Sequence, residues 1–207
     1  MSSKQKKLDF LKAQMEKDTS LPLRKGAKEL VFGVGNPDAD MLFMGEGPGY
    51  WEDQKGEPFV GNAGKFLDQL LHLIKVDRSD VYITNVVHHR PPNNRDPEPN
   101  EIEAYGKYLD KMIDIINPKV IITLGRFSMA KFLPGVYISS VHGKPHKVSW
   151  KEKSFLVVPM YHPAAGLRNG GIKAQTVRDF VMLSKRVEEN PVGKNGKKEE
   201  FLQMKLV

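Results

Sequence analysis

Between residues 41 and 160 the chain alternates short apolar runs with longer stretches whose apolar residues recur at helical spacing. The runs are MLFMGE at 41–46, VYITNVV at 81–87, VIITLG at 120–125 and FLVVPM at 155–160. Short apolar runs of this length read as strands buried on both faces. Residues 5–17 carry Leu8, Leu11 and Met15 on one stripe, and AGKFLDQLLHLIK carries Phe66, Leu67, Leu70, Leu71, Leu73 and Ile74, which predicts a helix over 63–76. Pro99 with Glu101 starts a helix that runs to about Asn117, before Pro118. Further helices are predicted at about 126–132 and 172–188, and GVYISSVHGKPHKV reads as a loop or hairpin. Strands alternating with helices imply right-handed crossovers. The expected fold is α/β, a three-layer αβα sandwich around a central four-stranded, mostly parallel sheet.

The domain organisation follows from the same pattern. Residues 1–30 form an N-terminal helix and lead-in that packs on the body or frays, 31–188 form the body, and 189–207, with NPVGKNGKKEE, read as a basic, flexible tail. No internal repeat is visible.

One stretch breaks the alternation. Gly45 to Gly64, GEGPGYWEDQKGEPFVGNAG, holds six glycines, four acids and an isolated Phe59 between a strand and a helix. It makes poor packing material and good site material, because glycine lets backbone approach a ligand closely. In an open α/β sheet the carboxyl end of a strand is where ligands bind.

Composition narrows the classes. With no cysteine among 207 residues, disulfides, thiol nucleophiles, cysteine zinc sites and cysteine-ligated iron–sulfur clusters are excluded. The segment MSSKQKKLDFLKAQMEKD has no apolar core of signal-peptide length, and no stretch approaches the ~20 apolar residues of a membrane span. A soluble, cytoplasmic protein is expected. The formal charge of +7 is unevenly placed: residues 31–125 carry 9 basic and 15 acidic groups, whereas 126–178 carry 9 and 1. Such asymmetry fits a polyanion facing the later half, or ordinary solubilising lysine.

Three strands end in chemistry-bearing residues: Glu46 after the first, Asn85 at the end of the second and His162 after the fourth. In a parallel sheet those ends share one edge, so the three groups should meet in one cleft.

These residues carry a resemblance. GEGPG, the ED after it, GEPFVGNAGKFLDQLL, TNVV with RPPNNRDPEPNEIEA, and YHPAAGLR, in this order and spacing, resemble the uracil-DNA glycosylases of the family 4 type over roughly residues 31–185. The resemblance implies a monofunctional DNA repair glycosylase that flips uracil out of DNA, hydrolyses its N-glycosidic bond and leaves an abasic site, with free uracil as product. Its partner would be uracil-containing DNA, with no membrane, and the enzyme is expected as a monomer. Bond breaking puts positive charge on the sugar and negative charge on the departing base, and a site must stabilise both.

By resemblance, Asn85 reads the base edge, accepting from uracil N3–H and donating to O4, a pattern that cytosine reverses. Read alone, it is a strand-end amide satisfying loop backbone. Phe59 stacks on the flipped base or plugs its loop into the core. Gly45 and Gly47 bring backbone against the base. His162, held extended by Pro163, donates to uracil O2. Glu46 orients or activates the attacking water. Glu52 assists, or shapes the wall near uracil C5, or with Asp53 caps backbone amides. Leu167 is the apolar wedge and Arg168, with Lys144, Lys147 and Lys173, meets phosphates.

The chain departs from the family where a four-cysteine iron–sulfur cluster is usual. Asp18, Leu21, His89 and Tyr105 stand at those places. No cofactor is expected: either packing and hydrogen bonds replace the cluster or the lead-in is looser than in relatives, and His88, His89 and Asp18 lack the ligand spacing of a zinc site. The alternatives are a catalytically weak or inactive uracil- or DNA-binding module, and a protein that traps the sugar covalently on a loop histidine. Trapping relatives carry an inserted basic loop that this chain lacks.

Overall fold

The computed structural model describes residues 2–190. A six-stranded sheet lies at its centre in the order β1-β3-β2-β4-β6-β5, built from β1 (Val34–Gly35), β2 (Met41–Gly45), β3 (Tyr82–Asn85), β4 (Val120–Leu124), β5 (His146–Trp150) and β6 (Lys153–Met160). The four apolar runs pair in parallel as β3, β2, β4 and β6, and the two outer strands are antiparallel to their neighbours. The sheet is therefore wider than the four strands expected. Both additions lie at edges, where burial on one face suffices. In β5, His146, Val148 and Trp150 alternate with exposed Lys147 and Ser149, a half-polar pattern that gives no apolar run.

The helices are α1 (Ser3–Lys17), α2 (Tyr50–Lys55), α3 (Asn62–Leu73), α4 (Pro99–Ile116), α5 (Arg126–Ala130), α6 (Ile138–Val141), α7 (Pro163–Arg168), α8 (Gly170–Val181) and α9 (Leu183–Glu188). The predicted helix at 172–188 is divided at Met182, which caps α8 and starts α9. Pro99 starts α4 beside a Glu98–Glu101 capping box, and Asn117 ends it in the left-handed conformation at φ 50°.

Successive strand residues feed opposite faces. Leu42, Met44, Ile121 and Val157 pack with α1 and α4, whereas Phe43, Ile122, Leu156 and Val158 pack with α3, α8 and α9. Helices thus cover both faces, the three-layer αβα arrangement. Leu8, Leu11 and Met15 of α1 are buried in the first of these clusters, so the lead-in packs on the body. Among the described residues no helix is long and apolar enough to cross a membrane. The expected flexible tail falls almost entirely on residues 191–207, outside the described residues.

Candidate active site

Parallel pairing of β2, β3, β4 and β6 brings their carboxyl ends to one edge, and a cavity of about 350 Å³ opens there. Glu46, Gly47, Glu52, Phe59, Asn85, His162 and Arg168 all line it. Glu46, Asn85 and His162, at or just after the ends of three different strands, face one slot.

Asn85 ends β3 directly beside Gly45 of β2, its register partner. Its side chain is 1% exposed and Oδ1 has no hydrogen-bond partner. A buried polar atom left open is costly unless something occupies it. Gly45 makes that placement possible: a Cβ there would lie 2.4 Å from Asn85 Oδ1 and 2.7 Å from the Phe59 ring.

Phe59 takes a left-handed backbone, φ 54°, and its buried ring stacks on His162 with centroids 5.6 Å apart and planes at 26°. The turn is held from outside by Arg78, which donates to the carbonyls of Pro58 and Phe59 and pairs with Asp68 at 2.8 Å. It is also held from below, since a Cβ on Gly64 would lie 1.8 Å from the Phe59 carbonyl oxygen.

His162 caps α7. Its Nδ1 accepts the Ala164 amide at 3.1 Å, which places the proton of the neutral ring on Nε2. Burial, with the Arg168 cation nearby, lowers its pKa to about 4. The imidazole is therefore a neutral N–H donor at ordinary pH.

Glu46 follows β2, and its Oε1 accepts the Phe127 amide at 3.0 Å at the start of α5. Gly125 turns β4 into that helix at φ 109°, and a Cβ there would lie 2.3 Å from Glu46 Oε1. Burial raises the Glu46 pKa above the ordinary carboxylate value, with Asp96 adding to the rise and the Phe127 amide and Arg126 opposing it.

Glu52 lines the slot, but its Oε1 accepts the amides of Val60 and Gly61 at 2.9 and 2.8 Å. Asp53 Oδ1 likewise accepts from the amides of Lys28 and Glu29. Both carboxylates hold backbone. Both sit on α2, a helix inside the stretch that reads as a loop.

Leu167, Lys144, Lys147 and Lys173 do not line the cavity. Leu167 projects from α7, 47% exposed. Lys144 donates to the Ser140 carbonyl at 2.9 Å, Lys147 lies on the outer strand β5, and the Lys173 ammonium sits 5.4 Å from the centre of the Phe66 ring. Sequence reasoning missed Pro91, Asn94, Arg95 and Asp96, which form another wall. Their signal was the RPPNNRDPEP motif itself. Arg95 pairs with Glu101 at 2.6 Å and Asp96 pairs with Arg126, which drapes this loop over Glu46.

The positions where relatives would place a cluster do not fit one. Leu21 is buried and apolar, Asp18 accepts from Lys107 Nζ at 2.8 Å and the Tyr108 hydroxyl at 2.7 Å, and His89 Nδ1 lies 2.8 Å from the Tyr105 hydroxyl. Among the described residues no group of three or more His, Asp or Glu side chains is placed to hold a metal ion.

Fold and site together define an α/β domain with a cavity at the carboxyl edge of its parallel strands, edged by an amide, an imidazole and a carboxylate. The sequence profile of the Uracil DNA glycosylase superfamily matches residues 32–182, and the chain belongs to that superfamily. It is 47% identical over 156 residues to the Type-4 uracil-DNA glycosylase of Sulfurisphaera tokodaii, covering 72% of this chain and 71% of the relative. To the Type-4 uracil-DNA glycosylase of Archaeoglobus fulgidus it is 46% identical over 164 residues, 76% of this chain and 82% of that one. To that of Saccharolobus solfataricus it is 40% identical over 191 residues, 89% and 88% of the two chains.

Proposed function

We propose that the chain is a monofunctional uracil-DNA glycosylase that takes uracil out of the DNA stack and hydrolyses its bond to deoxyribose. The observation that carries the reading is the open Oδ1 of buried Asn85. It offers an acceptor to uracil N3–H, while Nδ2 donates to O4, and cytosine at the same place would leave both polar groups unpaired. Phe59 and His162 already touch ring to ring, so the base enters beside the imidazole and not between the two.

The chemistry follows from the surrounding groups. The N1–C1′ bond breaks with its electron pair going to the base, and the charge collects partly on O2. The Nε2–H of neutral His162 stabilises it there without first having to lose a proton. A water oxygen bonds to C1′ and gives up a proton, which Glu46 orients or accepts. Glu52 holds the turn that carries Phe59 and walls the slot near uracil C5. Gly45 and Gly47 let backbone and base approach. Leu167 enters the stack where the base left it, and Arg168, Lys144 and Lys147 meet the phosphates.

Residues 31–188 constitute the catalytic domain and 1–30 the lead-in. The enzyme works as a monomer in the cytoplasm, releases free uracil and carries no iron–sulfur cluster, the hydrogen bonds around Tyr105 standing in its place. Incubation with a uracil-containing oligonucleotide followed by alkali tests the reading: cleavage at the uracil position is expected with turnover. A denaturation-resistant protein–DNA adduct would instead mark covalent trapping, and a salt-sensitive gel shift with neither would mark a binding module.

A further inference from the structure

The outer face of α2 is unlike any other rim of the cavity. Its inward side carries Glu52 and Asp53, both buried, and its outward side presents Tyr50 and Trp51, 48% and 57% exposed. The two rings meet edge to face with centroids 5.1 Å apart, and the Arg90 guanidinium lies 5.2 Å from the centre of the Tyr50 ring. Two adjacent exposed aromatics beside a cation are a surface feature that calls for an occupant, unlike a single scattered apolar side chain. Their position says which. Pro48 and Gly49, immediately before Tyr50, line the cavity, and so does Pro91, immediately after Arg90. On the other side, a Cβ on Gly61 would lie 3.5 Å from Trp51 Cδ1, so the indole rests on the loop that carries Phe59.

We infer that Tyr50, Trp51 and Arg90 form a stacking platform for an unpaired base next to the flipped uracil, and that uracil in a locally single-stranded stretch is the preferred substrate. The inference rests on the uracil-DNA reading and adds the strand state of the DNA. An aromatic face gains stacking energy only from a base whose own face is free, and a paired base in a duplex has both faces covered by its neighbours. Arg90 takes one face of Tyr50 and supplies positive charge for the strand, and the perpendicular contact with Tyr50 steadies the indole. Trp51 therefore carries the stack.

Tryptophan fluorescence tests this directly, because the chain has two tryptophans and the other, Trp150, lies on β5 against Phe155. In a Trp150→Phe background, titration with a single-stranded oligonucleotide should quench Trp51 emission saturably, and the matching duplex should quench it less. Trp51→Ala should raise KM for a single-stranded uracil substrate about 5- to 160-fold, the range expected for one lost base stack, with a much smaller rise on the duplex. Trp51→Phe should restore most of the loss, which separates stacking from misfolding. Emission indifferent to single-stranded DNA, or equal losses on the two substrates, would overturn the platform. If neither substrate were cleaved while quenching persisted, the glycosylase reading would fail and the platform would stand.

Discussion

His89 Nδ1 lies 2.8 Å from the Tyr105 hydroxyl. Burial lowers the His89 pKa to about 4, so the ring is neutral and shares one proton with that hydroxyl. The bond joins the segment after β3 to α4, two of the segments that a cluster would tie together. Tyr105→Phe strands a buried imidazole nitrogen, and should lower the unfolding free energy in urea by about 1–3 kcal/mol. Protein purified natively should carry substoichiometric iron. An unchanged unfolding midpoint would mean that packing alone holds this junction.

Asn85 should show stability and function pulling in opposite directions. Asn85→Leu, of similar volume, removes a buried amide whose Oδ1 has no partner. Excision of uracil should fall about 10²- to 10³-fold with the loss of two hydrogen bonds to the base, while the unfolding free energy rises by about 1 kcal/mol. Single-turnover excision and urea unfolding on the same preparation check both halves, and a drop in stability would contradict an open Oδ1 in the free protein.

Gly45→Ala tests the same geometry from behind. The added methyl carbon would sit 2.4 Å from Asn85 Oδ1 and 2.7 Å from the Phe59 ring, so both must move away from the slot. Excision should drop at least as far as it does in Asn85→Leu, with the far-ultraviolet circular dichroism spectrum unchanged. Retained activity would show that neither side chain needs its present position.

The parts of this architecture legible in the sequence are those that one side of the chain specifies alone. Continuous apolar runs gave β2, β3, β4 and β6, and helical spacing gave α1, α3 and α4, because each buries its own pattern. Strand β5 was not legible, since HKVSW becomes a strand only through pairing with β6. Helices α2 and α7 are six residues each, too short to show a period. At the site, Glu46, Asn85 and His162 could be brought together by topology alone. Asp96 could not, because its ion pair is with Arg126, far along the chain. Nor does spacing reveal that Glu52 turns one oxygen onto the Val60 and Gly61 amides.

Glu46 should leave its mark on the pH–rate profile. As a base it acts only when ionised, and burial raises its pKa above 4.5, so kcat/KM should fall as pH drops through that raised value. His162 protonates only near pH 4 and adds no limb between pH 6 and 9. Glu46→Gln should cost about 10²- to 10⁴-fold in rate and flatten the acid limb. A limb that survives the substitution would assign the base to another residue.

Stability should fall on acidification for a separable reason. His88, His89 and His162 are held neutral by burial, with pKa values lowered from 6.5 to about 3, 4 and 4. Between those values and 6.5 the unfolded chain binds protons that the folded chain refuses, so unfolding free energy rises with pH across this window and levels off above it. Three such groups give a slope approaching about 4 kcal/mol per pH unit near pH 5, and Glu46, whose raised pKa acts in the opposite sense, subtracts from it. His88 makes the largest contribution. Thr84 Oγ1 donates to the Phe32 carbonyl at 2.8 Å, so it accepts from His88 Nε2, and the buried Nδ1 has no partner to receive a charge-stabilising bond. His88→Phe places a ring of similar size between Phe32 and Tyr105 and should remove about a third of the slope measured by urea unfolding between pH 4.5 and 6.5. An unchanged slope would mean that His88 already carries its proton in the folded protein.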